Sequence, residues 1–115
     1  MCASRNTLTP RKRPAETQGT TERMTTGCGY LYVTVNHDQQ GLCEVIVALG
    51  KSGGCASSLL EAVARLISAS LRAGITGETI VKQLRDIRCP SIAWEEGRAV
   101  LSRADAISTV LEKHI

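Results

Sequence analysis

The sequence predicts a single α+β domain in which a small antiparallel β-sheet of about three strands packs against two or three helices. Three observations predict it. Residues 29–37 carry β-branched and aromatic side chains on alternating positions, and beyond a glycine turn the apolar stretch "LCEVIVALG" completes an antiparallel hairpin over 29–50. From residue 56 apolar side chains recur every third or fourth position, the period of an amphipathic helix. The resulting order, three strands, two helices, a loop and a last helix, makes a sandwich of sheet and helices.

Each element has a local reason. "TTERMTT" forms a short edge strand from Thr20, and "GYLYVTVNH" a second strand with Leu31, Val33 and Val35 on one face and Tyr30, Tyr32 and Thr34 on the other. "HDQQG" is a turn in which Gly41 is free to take positive φ, and "LCEVIVALG" is the third strand. One face of the sheet then needs a cover. The first helix runs from Ala56 to a stop at Gly74, with Leu59, Leu60, Val63, Leu66, Ile67 and Leu71 as its apolar stripe. Thr76 caps a second helix, Gly77 to about Ile87, which sets Ile80, Val81, Leu84 and Ile87 on one side. Glu78 suits its first turn and Pro90 bars continuation. "RCPSIAWEEGRAVLS" keeps no period and reads as a loop with a short strand near Ala99–Leu101, anchored in the core by Trp94. Ser102 caps a final helix over Ala104–Lys113, turning Ala106, Ile107, Val110 and Leu111 inward.

With 115 residues there is enough chain for one modest core. Phe is absent and aromatics total 3%, so that core is built from Leu, Ile, Val and Ala. No apolar run approaches the roughly 18–20 residues that cross a bilayer, and the expected location is cytoplasmic. Cys2, Cys28, Cys43, Cys55 and Cys89 are odd in number and irregularly spaced, which argues against a disulfide framework. Arg5, Arg11, Lys12 and Arg13 carry more than the whole net charge of +3, leaving the remainder close to neutral. Residues 1–19, with Pro10, Pro14 and Gly19 and no apolar period, read as a flexible basic leader to a domain at 20–115.

The stretch richest in chemistry is "GKSGGC", Gly50, Lys51, Ser52, Gly53, Gly54 and Cys55, where the third strand meets the first helix. A glycine-rich strand-to-helix corner offers unpaired amides and a positive helix end to an anion, with Lys51 adding a charge and Ser52 a hydroxyl. It is not a Walker A loop, because the earlier glycine is Val45 and no helix follows the serine directly. Read by itself, the corner stays open between a phosphate cradle, a cysteine site and a tight turn. Cys28, Cys55 and Cys89 sit where elements meet, yet no Cys-x-x-Cys pair occurs, so no metal is expected; were one bound, these three would be its ligands. No Ser/His/Asp set or convergent carboxylate pair is visible, so neither catalysis nor a cofactor is expected.

Four stretches, "TGCGYLYVTVN", "LGKSGGCAS", "VKQLRDIRCPS" and "LSRADAI", together resemble, in order and spacing, the TSCPD domain at the C-terminus of adenosylcobalamin-dependent (class II) ribonucleotide reductases. The resemblance covers roughly residues 9–115, and "TPRKRP" looks like the linker that precedes this region in the reductases. Two departures stand out: Arg103 occupies a place where the family leads one to expect cysteine, and the cysteine-rich tail is missing. The resemblance implies an accessory module of nucleotide metabolism without the radical-generating barrel. Combined with the glycine-rich corner, it leads to a non-catalytic domain that binds a nucleotide or phosphate-bearing ligand through residues 50–55, bordered by Arg88 and Arg103. A phage-type sponge that sequesters nucleotide immune signals is one form of this reading. The alternative is an accessory subunit that docks onto a separate reductase chain. An exposed sheet face and the small residues of "LISASL" lead to the further expectation of a homo-oligomer.

Overall fold

In the computed structural model, residues 7–50 and 54–115 are described. Strand β1 (Gln18–Thr26) pairs antiparallel with β2 (Gly29–Asp38), which pairs antiparallel with β3 (Gly41–Leu49), giving a three-stranded meander in sequence order. The period-two pattern does what it predicts. Leu31, Val33 and Val35 are fully buried on the inner face, while Tyr30 and Tyr32 stand on the open outer face. Gly41, at φ 123°, closes the β2–β3 turn, and the Asp38 carboxylate accepts the Gln40 N–H at 2.8 Å to shape it.

Helix α1 (Cys55–Arg72) lies along β3, and α3 (Arg103–Glu112) lies under β2 and β1 with α2 (Gly77–Leu84) behind it. Gly74, at φ 101°, ends α1 in a Schellman arrangement: the Ile75 N–H donates to the Ser70 carbonyl and the Gly74 N–H to that of Leu71. Thr76 and Ser102 cap α2 and α3 as the sequence predicts, accepting the Thr79 and Asp105 N–H groups. The core gathers Met24 and Leu31 from the sheet with Ile67 and Leu71 of α1, Val81 of α2, and Ile107 and Leu111 of α3.

Each sheet edge is engaged in part by side chains from another element. At β3 the Val45 N–H donates to Ser68 Oγ (2.9 Å), whose hydroxyl donates back to the Val45 carbonyl (3.1 Å), and Arg72 bonds the Cys43 carbonyl (3.1 Å). At β1 the Thr25 N–H donates to the Glu95 carboxylate at 3.1 Å.

Several expectations are corrected. β1 is a nine-residue strand fully paired with β2, beginning at Gln18 instead of Thr20. The segment before it is held to the sheet: Arg11 donates twice to Asp38 (2.9 and 3.0 Å), its N–H bonds the Arg72 carbonyl, and Arg13 pairs with Glu44 (2.6 Å). α2 stops at Leu84, because Asp86 takes φ 66° and turns Ile87 outward, leaving it 46% exposed. The loop after Pro90 is a hairpin, β4 (Ala93–Glu95) with β5 (Arg98–Val100), joined by Glu96 and Gly97, both at positive φ as in a type I′ turn. Trp94 is 70% exposed on β4 and anchors nothing. Finally, Leu59 and Leu66 are exposed, since the buried stripe of α1 centres on Ala64, Ile67, Ser68 and Leu71.

The pairs that fasten the N-terminal segment give a pH dependence. Hydrogen bonds from Arg11 hold the Asp38 carboxyl below its ordinary range, those from Arg13 do the same for Glu44, and Thr25 lowers Glu95. The unfolded chain therefore takes up protons near pH 4 that the folded chain refuses, so this stabilisation is complete above about pH 5 and is lost on acidification. Urea midpoints are expected to fall between about pH 5 and pH 3. Arg11→Ala/Arg13→Ala should make that fall shallower, and an acid limb of unchanged steepness would contradict the assignment.

Candidate functional site

The end of the sheet that carries the β1–β2 turn and the end of β3 holds two of the sequence-predicted residues, Cys28 and Gly50. Thr26 builds the β1–β2 turn by donating from its hydroxyl to the Gly29 carbonyl (2.7 Å) and accepting the Cys28 N–H (3.2 Å). Gly29 takes φ 112° there. On one side of this turn Gly27 touches the loop after Cys89; a Cβ on Gly27 would lie 2.3 Å from the Ser91 backbone. On the other side the Gly50 N–H donates to the Tyr30 carbonyl at 2.9 Å, so that amide serves the sheet and not a ligand.

Beyond Gly50 the predicted anion corner is described only at its far end, as Lys51, Ser52 and Gly53 lie outside the described residues. Gly54, at φ 53°, is the N-cap of α1 and its carbonyl accepts the Ser58 N–H (3.1 Å). The helix start is exposed, without a side-chain cap and without an acidic residue in its first turn. An 18-residue helix ending this way presents a positive pole to solvent.

Arg88 and Arg103 belong to a second cluster. The Cys89 N–H donates to the Leu101 carbonyl (2.9 Å), bringing Arg88 and Cys89 beside the strand that leads into Arg103. Arg88 is exposed and Arg103 is half-buried, its Nε buried without a hydrogen-bond partner among the described residues. The shared neighbour of the two clusters is the β1–β2 turn, which Gly27 and Tyr30 bond or pack on either side.

Among the described residues Cys28, Cys55 and Cys89 form no three-membered cluster. Cys28 sits in the β1–β2 turn, Cys55 opens α1, and Cys89 donates from Sγ to the Ser91 carbonyl (3.0 Å). Among the described residues no three His, Cys, Asp or Glu side chains come close enough to share a metal ion. Cys43 is buried in the sheet, and burial pushes its thiol up.

Sequence reasoning passed over two features. Asp105, 2% exposed, accepts the Asp86 N–H and the Leu101 N–H, each at 3.0 Å, and so ties both ends of the Arg88–Cys89 loop to α3. A cleft of about 780 Å³ lies between the N-terminal segment and the β2–β3 turn, lined by Arg11, Lys12, Glu16, His37 and Asp38 among others. Its walls come from two stretches separated by most of β1 and most of β2, so no local motif announces it.

The TSCPD domain model matches residues 6–115. The chain belongs to the TSCPD domain family. TSCPD domains are found in class II ribonucleotide reductases, so the kinship inferred from the four sequence stretches stands, and it extends over nearly the whole chain. No curated protein and no solved structure matches the chain. No helix among the described residues of this TSCPD domain is long and apolar enough to cross a membrane.

Proposed function

We propose that this TSCPD domain is a non-catalytic module that binds a nucleotide or another phosphate-bearing molecule at the corner between β3 and α1. The observation that carries the reading is the uncapped, acid-free N-terminus of an 18-residue helix, opening at the surface from Gly54. Lys51 and Ser52 precede it in sequence, and Arg88 with Arg103, whose Nε has no hydrogen-bond partner among the described residues, supplies further positive charge from across the β1–β2 turn. Kinship with the reductase domain favours nucleotides among phosphate-bearing ligands. Sequestration of a nucleotide immune signal, as in a phage-type sponge, is the finer form of this reading. A homo-oligomer belongs to the same proposal, supported by the apolar side chains left open on the sheet and on α1.

Isothermal titration of the chain with ADP-ribose-type compounds and with cyclic oligonucleotides tests the proposal. Micromolar binding is expected for one of them, weakened about tenfold in Lys51→Ala by loss of one charge-assisted hydrogen bond. Absence of heat at high micromolar ligand, with Lys51→Ala indistinguishable from wild type, would remove it. The second reading, an accessory subunit docking onto a separate class II reductase chain, draws on the family and on Trp94, 70% exposed on a short hairpin. It requires a reductase chain that lacks its own C-terminal region.

A further inference from the structure

We propose that the outward face of α1 is the surface through which two copies of this chain pair, with their α1 helices antiparallel about a two-fold axis near residue 64. This names the contact behind the homo-oligomer reading above and rests on it. The inward face of α1 is fully engaged through Ala64, Ile67, Ser68 and Leu71. On the opposite side Cys55, Leu59, Ala62, Leu66, Ala69 and Ala73 recur at alternating steps of four and three, the spacing of a coiled-coil seam. Leu59 is 67% and Leu66 70% exposed. A helix on the surface of a soluble domain normally turns its charges farthest from the core. Here Glu61, Arg65 and Arg72 stand to one flank, and the place farthest from the core is apolar.

The strip fits itself. Antiparallel pairing about residue 64 sets Leu59 opposite Ala69 of the partner subunit, Ala62 opposite Leu66 of the partner subunit, and Cys55 opposite Ala73 of the partner subunit. Each leucine meets an alanine, so the helices approach closely without a clash of large side chains. Charge agrees with shape. Arg65 pairs with Glu61 on its own helix; in this register it also comes within about 3 Å, measured along the axis, of Glu61 of the partner subunit. The two ion pairs then merge into one four-charge cluster beside the seam. The other open apolar surface, the outer face of the sheet, is partly covered by its own side chains, as Arg23 lies over the Tyr30 ring at 4.4 Å from its centroid.

Sedimentation velocity at tens of micromolar, combined with thiol cross-linking, tests this. The wild-type chain is expected to sediment as a dimer. Leu66→Glu, placed where the side chain is already exposed, is expected to sediment as a monomer with unchanged far-ultraviolet circular dichroism. Mild oxidation of Ala73→Cys should give an intermolecular disulfide with Cys55, absent from Ala73→Cys/Cys55→Ser. A monomeric wild type would overturn the homo-oligomer reading as a whole. A wild-type dimer that Leu66→Glu leaves intact and Ala73→Cys fails to link would overturn this face alone, with the outer sheet face then the contact.

Discussion

Asp105→Ala is expected to cost about 3–4 kcal/mol of folding stability and to lower the urea midpoint by roughly 2 M. The carboxylate is 2% exposed and is the acceptor for two backbone donors, Asp86 N–H and Leu101 N–H. Removing it deprives both part-buried donors of their acceptor, and each stranded group costs on the order of 1–3 kcal/mol. Asp105→Asn should cost nearly as much, because its amide offers one acceptor and points an NH2 at the other donor. Against a total stability of roughly 5–15 kcal/mol, this is a large share. Equilibrium urea unfolding measures it, and a loss under about 1 kcal/mol would show that the two N–H groups find other partners. Since Asp86 and Leu101 bracket the segment carrying Arg88 and Cys89, faster amide exchange there should accompany the loss.

Ile107→Ala is expected to cost a similar amount, about 3–4 kcal/mol, for a different reason. Ile107 is fully buried in α3 amid the core side chains of the sheet and the other two helices. Truncation leaves a void that neither the hydrogen-bonded sheet nor the capped helix closes by moving. Trp94→Ala supplies the contrast: although it deletes a far larger side chain, its 70% exposure limits the expected loss to about 0.5 kcal/mol. Thermal or urea unfolding of the two variants side by side decides the matter. A Trp94 variant as damaged as the Ile107 variant would mean that the hairpin is buried by something besides this fold.

These contrasts show where the sequence was readable. Alternation in β2 marked the buried face residue by residue, because a strand sends neighbours to opposite sides and only one side has a cover. Thr76, Ser102 and Gly74 announced helix ends through local chemistry, which does not depend on the rest of the chain. The environments of Trp94 and Ile87 are set by Asp86 and by the Glu96–Gly97 turn, which no local period marks. Glutamate is a poor signal for positive φ, where asparagine or glycine is the usual mark. Leu59 and Leu66 were absorbed into the core stripe because spacing gives a face but not its width. The candidate corner was legible as composition. Its division into two clusters on either side of Gly27 and Tyr30 arises from contacts distant in sequence, as does the hub at Asp105.

The serine at position 68 has a consequence beyond holding a helix in place. By answering both backbone groups of Val45 with one hydroxyl, it denies an extended peptide the row of free partners that strand addition needs. A partner cannot simply lengthen this sheet at β3, and neither can a neighbouring molecule seeding a fibril; each would first have to lift α1 away.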